Sequence, residues 1–315
     1  MKKAVRLMVV ALILLVGVGC AAKDEQGKGS IKIGIIQQME HGSLDRVRTG
    51  FIEQLKKDGY VEGENLEIDY QNAQGDQANL KTISSKLVKD SDLILAIGTQ
   101  AAQVVANEKS EVPILFSAVS DPVDAGLVKS MEKPGGNISG TSDMVSLKAQ
   151  IDLLKKADPK AKTLGLIYNA SEANSKIQID SAKKYALEIG MKVEEVNAPT
   201  TNDIKLAMET LVKKVDVIYV PSDNVLASGA SVVGEVSKAS KVPVVCASQA
   251  QAEEGGLASL GVDYTNLGKQ TATMAVSVLK DNKKPIDLAV ETSKGSLYIN
   301  EEMAKALGID SKSLK

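Results

Sequence analysis

The only histidine of the chain, His41, lies within a few residues of a serine and an aspartate, Ser43 and Asp45. Serine hydrolases combine these three residue types, with the serine as nucleophile and the histidine as its base. The same residues also suit the rim of a binding cleft at the start of a helix. There Ser43 would cap the helix, and Asp45 would add negative charge to its first turn, where such charge is favourable. The surrounding stretch, IGIIQQMEHGSLD, begins as an apolar run and predicts a strand that gives way to a helix.

Other sequence motifs that would indicate an enzyme are missing. The sequence has neither a G-x-x-x-x-G-K-[ST] run nor a G-x-G-x-x-G behind its first strand, and no G-x-S-x-G, C-x-x-C or H-E-x-x-H. We therefore expect no enzymatic activity, no cofactor and no metal. The formal net charge of −2 gives no basic surface for nucleic acid, so none is expected as a partner. Cys246 lies in the apolar run VPVVCA, which predicts a buried, unreactive thiol.

Apolar runs and amphipathic helices alternate from Ile31 to the end of the chain. This alternation predicts an α/β fold of two doubly wound, Rossmann-like lobes, each with a parallel sheet covered by helices on both faces. Short segments at 137–143, at 261–264 and after Pro285 are expected to cross between the lobes and form a multi-strand hinge. The N-terminal lobe would comprise residues 31–142 and 263–285, and the C-terminal lobe residues 143–262 and 286–315.

The first 30 residues predict export. Residues 1–19 combine a positive start with an apolar stretch too short to span a membrane comfortably, which is typical of a signal peptide. Cys20 follows at a junction resembling a bacterial lipobox, although Gly17 stands where leucine is usual. We expect Cys20 to be lipidated and residues 20–30 to form a flexible tether; the alternative is a plain secretory signal. Removing residues 1–19 leaves 35 basic and 40 acidic residues, a formal charge of −5.

Polar side chains recur where the predicted strands of both halves end. In open parallel sheets, ligands bind outside the carboxyl ends of the strands, so these residues predict a binding cleft between the lobes. They provide amides, hydroxyls and carboxylates without a general base that has a tuned partner, which suits binding better than catalysis. The candidates at strand ends and crossings are Gln38, Thr99, Gln100, Ser117, Asn169, Asp223, Asn224, Gln249, Asp143 and Asp263.

Blocks spread over residues 31–308 resemble the ABC-transporter substrate-binding lipoproteins of the tryptophan/tyrosine-binding type. They include IGIIQ with His41, GY with GEN, NAQGD, AIGTQAA, SDPVDAGLV, TSD, YN with Glu172 and Asn174-Ser175, PSDN and GVDY. The resemblance implies a type I periplasmic-binding-protein fold and an amino-acid ligand, often aromatic, held between two lobes. It implies as partners a membrane permease and a separate ATPase, with a lipid anchor and a monomeric chain. One departure is Thr99-Gln100, where relatives often carry Thr-Pro.

A free amino acid sets the expected roles of these residues. Its ammonium needs acceptors, for which Asp143, Asp223 and Asp263 are candidates in that order. Its carboxylate needs donors, which the predicted helix start at Thr99-Gln100-Ala101, with Ser117, would supply. An aromatic side chain needs an apolar slot, for which the candidates are Met39, Phe116, Tyr168 and Tyr264. With Asn174 from the resemblance, these residues complete the predicted site.

Three alternatives remain open from the sequence. A receptor of the same fold for a sugar or a branched-chain amino acid is the nearest, although the absence of Trp disfavours the stacking that sugar sites use. A ligand-sensing partner of a membrane kinase would have the same composition. A secreted hydrolase would need His41 as its base.

Overall fold

The structure is a computed structural model that describes residues 30–315. The predicted signal peptide, Cys20 and the predicted tether up to residue 29 lie outside the described residues. Within residues 30–315, no helix is both long and apolar enough to cross a membrane.

The N-terminal lobe is built on a six-stranded parallel sheet, whose strands lie in the order β11 (Glu291–Thr292), β5 (Ile138–Ser142), β4 (Ile114–Val119), β3 (Leu93–Ile97), β1 (Ile31–Gln37) and β2 (Leu66–Asn72). Its strands β1, β3 and β4 are buried along almost their whole length, which explains their continuous apolar sequences. The elements are β1 (Ile31–Gln37), α1 (Gly42–Lys57), β2 (Leu66–Asn72), α2 (Gln77–Asp90), β3 (Leu93–Ile97), α3 (Thr99–Asn107), β4 (Ile114–Val119) and β5 (Ile138–Ser142).

The C-terminal lobe repeats this architecture. Its strands lie in the order β12 (Ser296–Ile299), β10 (Ala258–Gly261), β9 (Val244–Cys246), β8 (Val217–Val220), β6 (Thr163–Tyr168) and β7 (Lys192–Asn197), and only β12 is antiparallel to its neighbour. Its elements are α4 (Leu147–Ala157), β6 (Thr163–Tyr168), α5 (Ala173–Glu188), β7 (Lys192–Asn197), a 3-10 turn (Thr201–Asp203), α6 (Ile204–Leu211), β8 (Val217–Val220), α7 (Asn224–Ser228), α8 (Ala230–Ser240), β9 (Val244–Cys246), α9 (Gln249–Glu254) and β10 (Ala258–Gly261). The predicted α/β class with two doubly wound lobes is confirmed. Cys246 is buried as predicted, and burial raises the pKa of its thiol to about 12.

The rest of the chain returns to both lobes. It forms α10 (Tyr264–Asp281), a 3-10 turn (Pro285–Asp287), β11 (Glu291–Thr292), β12 (Ser296–Ile299), α11 (Glu301–Leu307) and a final 3-10 turn (Ser311–Leu314). The third crossing differs from the expected boundary at residue 285. β11 pairs with β5 in the first sheet, and Ser139 Oγ donates to the carbonyl of Leu288 over 2.6 Å, so the chain crosses only after Thr292.

Two short strands explain this difference. β11 has only two residues, both exposed, and so lacks the apolar run that marks a buried strand. β5 is the polar sequence ISGTS, for which the sequence indicated a crossing only, although all five residues are buried. Both strands therefore owe their place to tertiary packing rather than to intrinsic preference.

Helices α1 and α10 cross at a glycine contact inside the N-terminal lobe. A Cβ atom at Gly50 would stand 2.0 Å from the carbonyl oxygen of Thr265, and one at Gly268 would stand 2.0 Å from that of Val47. The two backbones can approach this closely only because both positions lack a side chain. The contact fixes the N-terminal ends of both helices, which carry His41 and Tyr264.

Candidate functional site

A tight cavity with a solvent-accessible volume of about 20 Å³ lies between the lobes, at the carboxyl ends of both sheets. Ligands of open parallel sheets bind at this edge, so the location agrees with the predicted cleft. Loops after β1, β3 and β4 provide its N-terminal wall, loops before α5, α7 and α9 its C-terminal wall, and Asp143 and Tyr264 lie at the crossings. The lining residues are His41, Ser43, Leu44, Gly98, Thr99, Ala118, Ser120, Asp143, Asn174, Ser222, Asp223, Asn224, Ala227, Ser248, Gln251 and Tyr264.

Polar atoms without partners are concentrated at this cavity. Among the described residues, seven buried side-chain nitrogen or oxygen atoms have no hydrogen-bond partner, and four of them belong to residues that line it. These four are His41 Nδ1, Thr99 Oγ1, Asp143 Oδ1 and Asn174 Oδ1. Buried polar groups are normally hydrogen-bonded, so such a concentration is typical of a site whose partners come from a ligand.

Asp143 is the carboxylate at the first crossing. Its Oδ2 accepts a hydrogen bond of 2.6 Å from the hydroxyl of Tyr264, whereas its Oδ1 has no partner. Burial raises the pKa of Asp143, and the hydrogen bond from Tyr264 opposes this effect. A cation at Oδ1 would compensate the buried charge.

The C-terminal wall holds two further buried carboxylates, Asp223 and Glu172. Asp223 caps α7 by accepting from Leu226 N at 2.9 Å, and it also accepts from Asn169 N at 2.6 Å and Ser175 Oγ at 2.7 Å. Its oxygens are thus already used in holding the wall. Burial raises the pKa values of both Asp223 and Glu172.

Glu172 orients the two asparagines of this wall. Its Oε2 accepts from Asn224 Nδ2 at 2.6 Å and from Asn174 Nδ2 at 3.3 Å. Asn174 Nδ2 also donates to the carbonyl of Ser222 at 2.6 Å. Because these donations fix both amides, the Oδ1 atoms of Asn174 and Asn224 are presented as acceptors.

The N-terminal wall instead presents the starts of two helices. The residues that precede α1 and α3, His41 and Gly98, make no side-chain hydrogen bond to the first turn. Gly98 has φ of 93°, a left-handed conformation that glycine adopts without strain. The first backbone N–H groups of each helix therefore lack a side-chain cap, and the positive end of each helix dipole lies at the cavity.

Several contacts join the two lobes directly. Ser43 Oγ donates to Ser248 Oγ at 3.0 Å, and His41 Nε2 lies 3.0 Å from Asn224 Oδ1. Further cross-lobe contacts are Gln178 Nε2 to Ser120 Oγ at 3.0 Å, Ser228 Oγ to the carbonyl of Glu40 at 3.3 Å, Gln100 Nε2 to the carbonyl of Ser171 at 3.4 Å, and the ion pair of Arg46 with Glu253. These contacts describe a cleft that is shut.

The His41, Ser43 and Asp45 group is not a catalytic relay. His41 and Ser43 each contact a residue of the opposite lobe, as given above. Asp45 accepts from Gln37 Nε2 at 2.9 Å and lies 3.4 Å from Arg48. The predicted cap at Ser43 is wrong, because His41 precedes α1 and the Ser43 hydroxyl is engaged across the cleft. The predicted first-turn position of Asp45 is confirmed.

The cavity brings together five of the predicted ligand-binding residues: Thr99, Asp143, Asn174, Asp223 and Asn224. The other nine lie outside its lining, each engaged elsewhere. Gln38 Nε2 donates to Gln100 Oε1, Met39 lies beside Gly75, Ala101 is packed in the core, and Ser117 bonds Thr141 and Thr271. Tyr168 donates to Glu195, Asn169 accepts from Ser171, Gln249 donates to Glu253, and Asp263 caps α10 through Thr265 N and Asn266 N.

Only Tyr264 of the four residues considered for an aromatic slot lines the cavity. Phe116 is fully buried in the core of the N-terminal lobe. The apolar part of the lining comes instead from small and aliphatic side chains, Leu44, Ala118 and Ala227, which have no distinctive sequence pattern. Ser120, Ser222, Ser248 and Gln251 also line the cavity but were not among the predicted residues, although Ser120 opens the motif SDPVDAGLV and Ser222 lies within PSDN.

Comparisons with known proteins agree with this architecture. The family model described as ABC transporter substrate binding protein matches residues 32–313. A tyrosine-binding protein of Clostridioides difficile strain R20291 is 44% identical over 287 residues, covering 90% of this chain and 83% of that protein. An ABC domain from Streptococcus pneumonia in complex with L-Trp is 39% identical with a TM-score of 0.86, covering 91% of this chain and 98% of that chain.

A ligand-free, open structure of a substrate binding protein with adhesive properties from Clostridium difficile is 47% identical, covering 89% of this chain and 96% of that chain. Its TM-score is only 0.69, below that of the less similar L-Trp complex. That relative is described as open, whereas the cross-lobe hydrogen bonds given above show that the cleft described here is shut. Two doubly wound lobes joined by three crossings around this cleft form the predicted type I periplasmic-binding-protein fold, and the chain belongs to the family of ABC transporter substrate binding proteins.

Proposed function

We propose that the protein captures a free aromatic amino acid, tyrosine or tryptophan, in the interlobe cleft and delivers it to an importer. The observation that carries this proposal is the group of four partnerless polar atoms at the cavity. A zwitterion supplies partners for such a group, because it combines strong donors with strong acceptors.

The charge distribution of the cavity favours one orientation of the ligand. The uncapped starts of α1 and α3 suit the carboxylate, since backbone N–H groups and helix dipoles stabilise an anion there. Asp143 suits the ammonium, because its free Oδ1 is a buried anionic acceptor. Asp223 and Glu172 are less suited to this role, because other donors already occupy their oxygens.

The apolar part of the lining and the relatives support an aromatic side chain. Leu44, Ala118, Ala227 and Tyr264 offer a surface against which a ring can pack. Among relatives, one is named as tyrosine-binding and another is described in complex with L-Trp. Tyrosine and tryptophan also carry a hydrogen-bond donor on the ring, and the partnerless Asn174 Oδ1 is an acceptor for it in the cavity.

Substrate-binding proteins of ABC importers are extracytoplasmic, and the predicted signal peptide agrees with this location. Closure on the ligand would create the surface that a membrane permease recognises, while a separate ATPase drives transport. Lipidation at Cys20 would anchor a monomeric receptor to the outer face of the cell membrane through a tether. A ligand-sensing role beside a membrane kinase would use the same closure.

A thermal-shift screen of the purified protein against the twenty amino acids and several sugars tests this proposal. We expect tyrosine, tryptophan or phenylalanine to raise the melting temperature, because a ligand that binds only the folded state stabilises it. At a ligand concentration of 100 times Kd, the gain is about 2.7 kcal/mol. A rise in melting temperature with sugars alone, or with branched-chain amino acids alone, would reject an aromatic ligand and identify that other class instead.

A further inference from the structure

A chain of three side chains crosses the cleft from His41 to a buried acid. His41 precedes α1 in the N-terminal lobe, and its Nε2 lies 3.0 Å from Asn224 Oδ1 in the C-terminal lobe. Asn224 Nδ2 in turn donates to Glu172 Oε2 over 2.6 Å, and the backbone N–H of Asn224 donates to the same oxygen over 3.1 Å. This series of hydrogen bonds therefore exists only when the lobes are closed.

Hydrogen-bond chemistry assigns the form of His41 in this chain. Because Glu172 accepts from Asn224 Nδ2, the amide oxygen of Asn224 is the atom that faces His41. This oxygen only accepts, so Nε2 of His41 must carry a hydrogen. Nδ1 of His41 is buried at the cavity without a partner in the described residues, so in the neutral form it accepts a hydrogen bond from the ligand, while the ligand carboxylate is met by the backbone N–H groups of α1 and α3.

We propose that His41 is a positioning residue that draws Asn224 across the cleft only as neutral imidazole, so that its protonation opposes ligand capture. The proposal deepens the proposed function and rests on it. It concerns the last step of capture, in which the lobes shut around the bound molecule. It also makes the receptor release its ligand more readily in acidic surroundings.

The direction of the pH effect follows from burial. In the closed form, desolvation lowers the pKa of His41, while its hydrogen bond with Asn224 and the negative charge of Asp45 act in the opposite direction. In an open cleft, a solvated His41 would titrate near its usual value of about 6.5. A group whose pKa is lower in the closed form favours that form above its open-state pKa, so capture weakens as the pH falls through 6.5.

Acidic groups around His41 have the opposite effect on the pH dependence of closure. Burial raises the pKa values of Asp143, Glu172 and Asp223, so acidification favours a closed form in which they are protonated. The charged groups near His41 are Glu40, Asp45 and Arg46 of its own segment, Asp143 at the crossing, Glu172 and Asp223 behind Asn224, and Glu253 and Glu254 of α9. A comparison of variants at His41 cancels these contributions, because they are common to both proteins.

The test measures the affinity for L-tyrosine and L-tryptophan at pH 7.5 and 5.5 by calorimetry, in wild type, His41→Gln, His41→Phe and Ser228→Ala. Glutamine keeps an N–H donor at a similar reach but does not titrate, whereas phenylalanine has no donor. Ser228→Ala removes a different cross-lobe hydrogen bond without a titratable group. A nitrogen NMR spectrum of the ligand-loaded wild type reports the tautomer, and the single histidine of the chain makes its signal unambiguous.

We expect wild type and Ser228→Ala to lose about three- to tenfold more affinity between pH 7.5 and 5.5 than His41→Gln does. At pH 7.5, His41→Gln should bind more tightly than His41→Phe, and the loaded wild type should show the Nε2–H form. Equal pH profiles in wild type and His41→Gln, or an imidazolium in the loaded protein, would overturn the proposal. Absence of binding by wild type at pH 7.5 would instead reject the proposed ligand, so the two failures are distinguishable.

Discussion

Replacing Asp143 by asparagine should lower the affinity for aromatic amino acids about a hundredfold, or about 2.8 kcal/mol. Asp143 Oδ1 is a buried carboxylate oxygen without a partner, and a ligand ammonium is the cation it would receive. Asparagine keeps an oxygen for the Tyr264 hydroxyl but removes the charge. Calorimetric titration with L-tyrosine or L-tryptophan measures the change.

The ligand-free variant should be at least as stable as the wild type. Because burial raises the pKa of Asp143, its ionised form opposes folding at pH 7.5, and asparagine removes that cost. A melting temperature that is unchanged or higher, together with lost affinity, would separate a binding role from a structural one. A fall in both would indicate that Asp143 holds the crossing rather than the ligand.

Asp263→Asn is the matched control. Asp263 was also predicted as an ammonium acceptor, but it is exposed and caps α10. The same chemical change there should leave affinity unaltered, because asparagine is also a good cap. A deaminated analogue of the ligand completes the comparison. The analogue should bind wild type more weakly than the amino acid does. In Asp143→Asn, this difference in affinity between the two ligands should become smaller. A difference as large as in wild type would show that Asp143 does not bind the ammonium.

Gly268→Ala should destabilise the protein by about 3 kcal/mol, at the upper end of the usual effect of overpacking. A Cβ at this position would stand 2.0 Å from the carbonyl oxygen of Val47, and backbone atoms of a packed helix cannot move aside easily. Helices α1 and α10 would separate and shift the helix ends that carry His41 and Tyr264. Denaturant unfolding measures the stability, and ligand titration should show weaker binding as well.

Gly136→Ala is the control for this prediction. Gly136 has no atom within 4 Å of an added Cβ and no left-handed backbone angle. Alanine there should change stability by less than about 1 kcal/mol, and a small gain is possible because the unfolded chain loses freedom. Similar losses at both glycines would contradict the close helix crossing.

The fold could be predicted well from the sequence because its central strands are buried on both faces. The strand Leu93–Ile97, for example, is apolar and buried at all five positions, and such a continuous apolar run is recognisable in the sequence. Helix α2 begins after Asp76, a residue type typical of helix caps, whose side chain accepts from Asn79 N. β5 and β11 were not predicted as strands, because their polar or short sequences adopt a strand conformation only through pairing with neighbouring strands.

The site could be predicted only in part, because topology indicates which edge of a sheet binds and not which side chains turn toward it. Thr99, Asp143 and Asp223 were predicted from their positions at strand ends and crossings, and all three line the cavity. Gln38 and Gln100 follow the same rule but bond to each other. The contact of His41 with Asn224 joins residues 183 positions apart, so no local pattern predicts it.

A crystal structure of the protein with L-tyrosine or L-tryptophan tests the central claim most directly. The account predicts one molecule in the interlobe cavity, with its ammonium about 3 Å from Asp143 Oδ1 and its carboxylate at the uncapped starts of α1 and α3. The lobes should keep the closed arrangement described here. A ligand bound outside the cleft, or one whose carboxylate faces Asp143, would contradict the account.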